Sequence, residues 1–465
     1  MVPCRTAASQ AASQHELRGS TTMWKKTAWI SFTLCSTVAL FGCSAQTQPP
    51  APATAPVSPG QPAELSKDPV TVRFFASGGM FSDEEFTRYI VDPVKKKYPQ
   101  ITVERVNPSA KLPDLIAAGE TLDIVGNYPG PMGSNLADNK MIFNMEPLMK
   151  KYNFDTSRFS NEALETLKIA GGQSYLAGLP AYTNTFALFY NKDIFDKFGV
   201  PYPKDGIYWD EVVEIAKKFN RSDNGVLYRG IFPDGIGRIQ QQLSIPFADF
   251  GANKSLLSNE QWREAFQTWG TLFKMPQLTE GDFKVPNAGK NQTAFVDGTL
   301  AMIASHSNLL NSLKKAPQLN WDMVTYPQHR KSPGIGQRMD SPILSITEQS
   351  KVKDAAFLVL DTLLSNEVQA DMTRNGRLTV LKDDKVKSEF GKGLADFNGK
   401  NLSVMTKLKF AVMTPFKYLP DGDVDKVLTK SFNAYIVDEK DLNTALREAD
   451  EDMNRLIQEK LNLKK

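Results

Sequence analysis

Three cysteines and three histidines are all that this 465-residue chain offers for thiolate or imidazole chemistry. Cys4, Cys35 and Cys43 lie at the N-terminal end, so nothing after residue 43 can form a disulfide, a thiolate zinc site or a cysteine nucleophile. Past His15 only His306 and His329 remain, which starves both a multi-histidine metal centre and a Ser-His-Asp triad. Gly172-Gln-Ser-Tyr-Leu176 ends in Leu where a nucleophile elbow needs Gly, and no Gly-rich phosphate loop with Lys occurs. Asp and Glu are plentiful, so cleavage of glycans by paired carboxylates is the enzymatic reading with material to work with. Two acid-bearing stretches fail as calcium loops. Asn220–Gly225 supplies only Asp223 and Asn224, and Asp421–Asp425 has Lys426 and Phe432 where an EF-hand needs Gly and Glu. Asp421–Asp425 reads instead as a solvated turn. No metal or cofactor is expected.

The thiol with a definite setting is Cys43. Met23-Trp-Lys-Lys-Thr27 is a positively charged start, Thr27 to Phe41 is apolar, and Leu40-Phe41-Gly42-Cys43 matches a bacterial lipobox. The apolar run falls short of the ~20 residues of a spanning helix, so it reads as a cleaved signal with lipid on Cys43. Met23 is then the expected true start, 1–22 an upstream artefact, 23–42 the signal peptide and 43–67 a lipidated, Pro- and Ala-rich tether. This puts the working part on the extracytoplasmic face of the cell membrane, held by its anchor. Beyond residue 42 basic and acidic residues balance at 51 each, which gives no electrostatic grip on nucleic acid.

The elements that must position any site begin at Val70–Ala76, a β-rich run. Ser82-Asp-Glu-Glu85 is a capping box opening a helix with Phe86, Ile90 and Val94 on one face. Ile101–Val106 is a strand, Lys111–Ala118 a helix closed by Gly119, and Asp123–Gly126 another strand. That alternation predicts a parallel α/β sheet. Phe186–Tyr190 is a further strand. Trp209–Phe219, Trp262–Phe273, Asp354–Arg374 and Asp441–Leu463 read as helices, so the C-terminal third is mostly helical. Ligands of open α/β sheets sit beyond the strands' carboxyl ends, which points to the loops 77–81 and 126–134.

Several segments resemble the extracellular solute-binding proteins of family 1, the maltose-binding-protein-like group serving carbohydrate ABC importers. They are Leu188-Phe-Tyr-Asn-Lys-Asp-Ile-Phe-Asp-Lys-Phe-Gly-Val-Pro-Tyr-Pro203 with Tyr208-Trp-Asp-Glu-Val212, then Ala294-Phe-Val-Asp-Gly-Thr-Leu-Ala-Met302, and Leu115-Ile-Ala-Ala-Gly-Glu-Thr-Leu-Asp-Ile-Val125, where Leu122 replaces the usual Pro. The resemblance spans roughly residues 70 to 460. It implies a two-lobe periplasmic-binding-protein-like α/β fold (type II), each lobe a sheet with flanking helices. The first lobe would comprise 68–180 plus 303–345 and the second 184–298 plus 347–465. Crossings would fall near Pro180–Thr185, Thr299–Ala304 and Ile343–Ile346. The implied function is capture of a sugar or oligosaccharide by hinge closure, without catalysis, by a monomer that docks on an ABC permease.

A sugar offers C–H faces to aromatic rings and hydroxyls to polar side chains. By position relative to the resembling motifs, the expected ligand residues are Ser77, Gly79, Asn127 and Tyr128 from the first lobe, and Tyr182 and Asn184 at the first crossing. Phe232, Asp234 and Arg238 come from a second-lobe loop, His306 and Asn308 follow the Ala301-Met302 motif, and Met339 and Asp340 precede the last crossing. Each of these aromatics could equally be core. Trp209, Trp262 and Trp269 read as helix packing, and no Trp stands at 305–308, which argues against a long glucan. Alternatives are a lipoprotein that presents ligand to a sensor, a binder of a peptide, polyamine or ferric complex, or a glycan hydrolase. Arg238 and Arg338 leave uronic acids open.

Overall fold

The computed structural model describes residues 68–76, 79–275 and 283–463. The leader, Cys43 and the tether therefore lie outside the described residues.

Two five-stranded sheets organise the chain. In the first, the order is β2 (Ile101–Arg105), β1 (Val70–Phe75), β3 (Ile124–Asn127), β13 (Ile343–Ile346) and β4 (Leu179–Pro180). β1 pairs in parallel with β2 and β3, as the strand-helix alternation predicts. The capping box at Ser82 forms, with Glu85 N donating to Ser82 Oγ and Ser82 N donating to a Glu85 carboxylate oxygen. The helical stretch it starts buries Phe86, Ile90 and Val94 under the sheet, Phe86 meeting Phe74 edge-on at 5.3 Å.

The second sheet runs β11 (Trp321–Thr325), β5 (Phe186–Asn191), β10 (Leu300–His306), β7 (Val226–Ile231), β6 (Arg221–Asp223). β5 lies inside the sheet, between β11 and β10, and is buried along its whole length, which is why its sequence is a nearly continuous apolar run rather than an alternation. Trp209, Trp262 and Trp269 are buried, as expected, Trp209 against Trp269 at 4.8 Å. The small pairs β8 (Ala248–Asp249) with β9 (Lys254–Ser255), and β12 (Ile335–Arg338) with β14 (Lys409–Ala411), complete the strands described.

Several expectations need correction. Residues 303–345 do not travel together, because β10 and β11 hydrogen-bond to β5 in the second sheet and only β13 joins the first. No crossing exists at 299–304; that segment is β10. The helical stretch 354–374 is two helices, Lys353–Leu363 and Asn366–Arg374, because Ser365 breaks it and caps the second. Both pack mainly on the first half. Asp421–Asp425 is not a turn but the start of a helix, Asp421–Ile436, with Asp421 and Asp423 in its first turn. The chain passes between halves at 181–185, at 339–342 and over 375–408. At the first passage Ala181 N donates to Pro342 O, Thr183 N to Leu378 O and Asn184 N to Asp340 O. The passages are thus laced to one another by backbone bonds.

Candidate binding cleft

The floor of the cleft is built at these passages. Asn184 Nδ2 donates to Asp340 Oδ2 at 3.1 Å, beside the backbone bond between the same residues. Tyr182 has no exposed surface; its hydroxyl donates to Met80 O at 2.5 Å and its ring meets Phe81 edge-on at 5.5 Å. Burial raises its pKa well above the usual tyrosine value. Tyr128, half-buried just after β3, lies near enough to Tyr182, Asp340 and Arg377 to feel them, and burial raises its pKa. Asn127, the last residue of β3, accepts from Asn135 Nδ2 at 2.8 Å, and its own amide nitrogen has no partner.

Arg377 is the residue that sequence reasoning missed here. It lies 4.7 Å from the centre of the Tyr182 ring, makes a two-pronged pair with Glu85 at 2.7 and 3.1 Å, and donates to Asn308 Oδ1 at 3.1 Å. One guanidinium therefore joins the first half's opening helix, the hinge and the second half. The capping box had already assigned Glu85 to backbone, and nothing near Asn375-Gly376 in sequence marks a neighbouring Arg as part of a site.

On the second half, Arg238 pairs with Asp234 at 3.0 Å, one helical turn away, and its guanidinium lies 4.9 Å from the Phe186 ring centre. Phe186 also meets His306 edge-on at 6.0 Å. Burial, and then the charge of Arg238, push the His306 pKa down, which favours the neutral imidazole; its Nδ1 has no partner among the described residues. Gln337 donates to the Arg238 carbonyl and to Tyr326 Oη, each at 3.0 Å, which holds this wall in place.

Tyr128, Asn184, Asp234, Arg238, His306, Asn308 and Asp340 are therefore brought to one region. Two expected residues are not. Phe232 is a core residue, edge-on to Phe273 and Phe283 at 5.3 and 5.0 Å, with no ring face left for a solute. Met339 is buried and lines a groove of about 270 Å³ with Thr183, Leu378 and Met405. Tyr182 is present but sealed, a support for Tyr128 rather than a contact surface. Gly79 is exposed in a turn, and Ser77 lies outside the described residues.

The opposite rim is a contact between the halves. A Cβ placed on Gly130, in the helix Pro129–Ala137, would overlap the Asp421 carboxylate. A larger groove of about 610 Å³ over Trp209, Ile239 and Leu243 lies on the second half and holds none of the expected residues. Among the described residues no cluster of three or more His, Cys, Asp or Glu could hold a metal, and no helix is long and apolar enough to cross a membrane.

A model of bacterial extracellular solute-binding proteins matches residues 89–387. A binding protein of Brucella abortus (strain 2308) is 25% identical over 277 residues, covering 55% of this chain and 63% of that protein. The chain thus spans less than two thirds of the length of the curated relatives it matches. The sugar-binding protein MalE of Xanthomonas citri superposes with a TM-score of 0.64 at 19% identity, covering 85% of this chain and 99% of that one. A solute-binding protein of Thermotoga lettingae, solved with α-D-tagatose, gives 0.65 at 16%, covering 84% and 100%. Likeness at this identity establishes the two-lobe fold.

Proposed function

This chain belongs to the bacterial extracellular solute-binding proteins, and from that membership we propose that it captures a sugar or short oligosaccharide between its halves and delivers it to an ABC permease. The observation that carries the reading is convergence: Tyr128 from the first half, Asp340 and Asn184 from the passages, and Arg238, His306 and Asn308 from the second half meet in one cleft. A ring with hydroxyls around it can touch both halves only when they approach, so binding favours the closed form. The sugars bound by structural relatives such as the Thermotoga lettingae protein support the same ligand class. The reading is one of binding without turnover, in keeping with the family. The reading extends to a monomer tethered by lipid on Cys43, which a Cys43→Ala substitution would release from the membrane.

The test is a thermal-shift screen against mono- and oligosaccharides, with peptides and polyamines as controls. A ligand at 100 times its dissociation constant stabilises the fold by about 2.7 kcal/mol. A sugar hit accompanied by a smaller radius of gyration in solution scattering is the expected outcome. A shift from a control solute alone would overturn the sugar assignment, and a labelled glycan returned cleaved would overturn the binding-only reading.

A further inference from the structure

We infer that Arg338 and Asp421 form a two-sided charge filter in the cleft, which admits neutral polyhydroxylated solutes and rejects both uronic acids and protonated amino sugars. The inference rests on the solute-capture reading above and narrows its ligand class.

Two cleft arginines are answered by carboxylates, Arg238 by Asp234 and Arg377 by Glu85. Arg338, at the end of β12, is not. Among the described residues it has no ion pair or side-chain hydrogen bond, and its recorded neighbour is the Phe416 ring, 5.9 Å from the guanidinium carbon. The carboxylate of Asp421 likewise accepts no hydrogen bond from the described residues and lies against Gly130 of the other half. The two groups feel each other's charge: burial lowers the Arg338 pKa and Asp421 opposes that, while burial raises the Asp421 pKa and Arg338 opposes that. Asp340, which also acts on Arg338, has one carboxylate oxygen engaged by Asn184.

A cation and an anion that are both partly exposed and do not close into a pair are left to water until a solute displaces it. A set of hydroxyls resolves this from both sides, accepting from the guanidinium and donating to the carboxylates. A solute carboxylate would gain Arg338 but face Asp421 and Asp340. An ammonium would gain the carboxylates but face Arg338 and, beyond it, Arg238. Closure sharpens the choice, because the Gly130 helix covers Asp421 and removes the water that would screen a mismatch.

The experiment is calorimetric titration of the protein with neutral hexoses and short neutral oligosaccharides, the matching hexuronates, and the matching hexosamines at about pH 6, where the amine is charged. The filter predicts that each charged analogue binds at least ~tenfold more weakly than its neutral parent. Asp421→Asn should recover the uronates selectively, and Arg338→Gln the amino sugars; should one variant fail to fold, the other and the wild-type panel carry the test. A uronate or amino sugar that binds as well as its neutral parent overturns the filter but leaves sugar capture standing. Silence across all saccharides overturns the capture reading and the filter with it.

Discussion

Arg377 touches three stretches that the sequence keeps far apart, and its removal isolates the cost of that junction. Its pair with Glu85 is largely shielded, at 11% and 22% side-chain exposure. Arg377→Gln leaves the carboxylate facing Tyr182 and Asn308 without its cation, and should cost roughly 2–4 kcal/mol in denaturant unfolding. The acid dependence should change too. Burial pushes the Glu85 pKa up, but the bond and charge of Arg377, with help from Ser82, hold it below the usual 4.5. The stability it contributes is present above that value and lost as pH falls through the lower folded value. In Arg377→Gln that acid-sensitive component should vanish. His329 acts in the same sense, at higher pH. Burial pushes its pKa down to about 4. Between the ordinary 6.5 and 4, the unfolded chain takes up a proton that the folded one refuses, so stability falls as pH falls. His329→Gln should flatten that window by on the order of 2 kcal/mol, read from denaturant midpoints across the range. Both residues show the limit of residue-level reading: the types are visible in sequence, but the partners lie at separations such as 292 residues.

At the scale of elements, two glycines separate binding from folding. Gly130 meets its neighbour across the cleft, whereas a Cβ on Gly230 in β7 would overlap the backbone of Ala216 within the second half. Gly130→Ala suits its own helix, and the atoms it would meet belong to the Asp421 side chain, which can shift, so the melting temperature of the ligand-free protein should change little. The substitution should weaken solute binding about tenfold or more, by opposing closure. Gly230→Ala should instead cost roughly 1–3 kcal/mol of stability, because a packed backbone cannot yield as a side chain can. Titration and melting of the two variants together check this. Elements with local signals were legible: the Ser82 capping box, the parallel pairs β1–β2 and β1–β3, and the tryptophan-faced helices all appear where patterning put them. The sheet to which β10 belongs was not legible, since an apolar strand pairs according to what lies beside it and not by its own composition. Phe232 was misplaced for the same reason, a loop position giving no hint of Phe273 and Phe283 closing over it. Arg238, His306 and Asp340 could be grouped from sequence, because they flank strand ends and passages, and they do lie near one another.

At the scale of the whole molecule, neither half is a contiguous piece of chain. The first sheet draws β1 to β4 from residues 70–180, but β13 from 343–346, and it is covered by the helices Lys353–Leu363 and Asn366–Arg374. A fragment of residues 68–185 should therefore fail to fold, showing no cooperative melt by circular dichroism. Adding residues 339–378 in trans should restore one if the division by sheet is right. The solute should raise the melting of both halves together in the intact protein, since the ligand joins what the passages hinge.

β13 sits between β3 and β4 as an internal strand, yet some two hundred residues are made after β3 before it exists. At ribosomal speeds that interval is roughly ten to forty seconds, against the microseconds to seconds in which small domains fold. Throughout it the nascent N-terminal portion lacks the strand that completes its sheet, so that sheet cannot close. A protein destined to pass through a narrow export pore gains from such a delay. The same strand that finishes the sheet thus also sets the moment at which the chain can no longer be pulled straight.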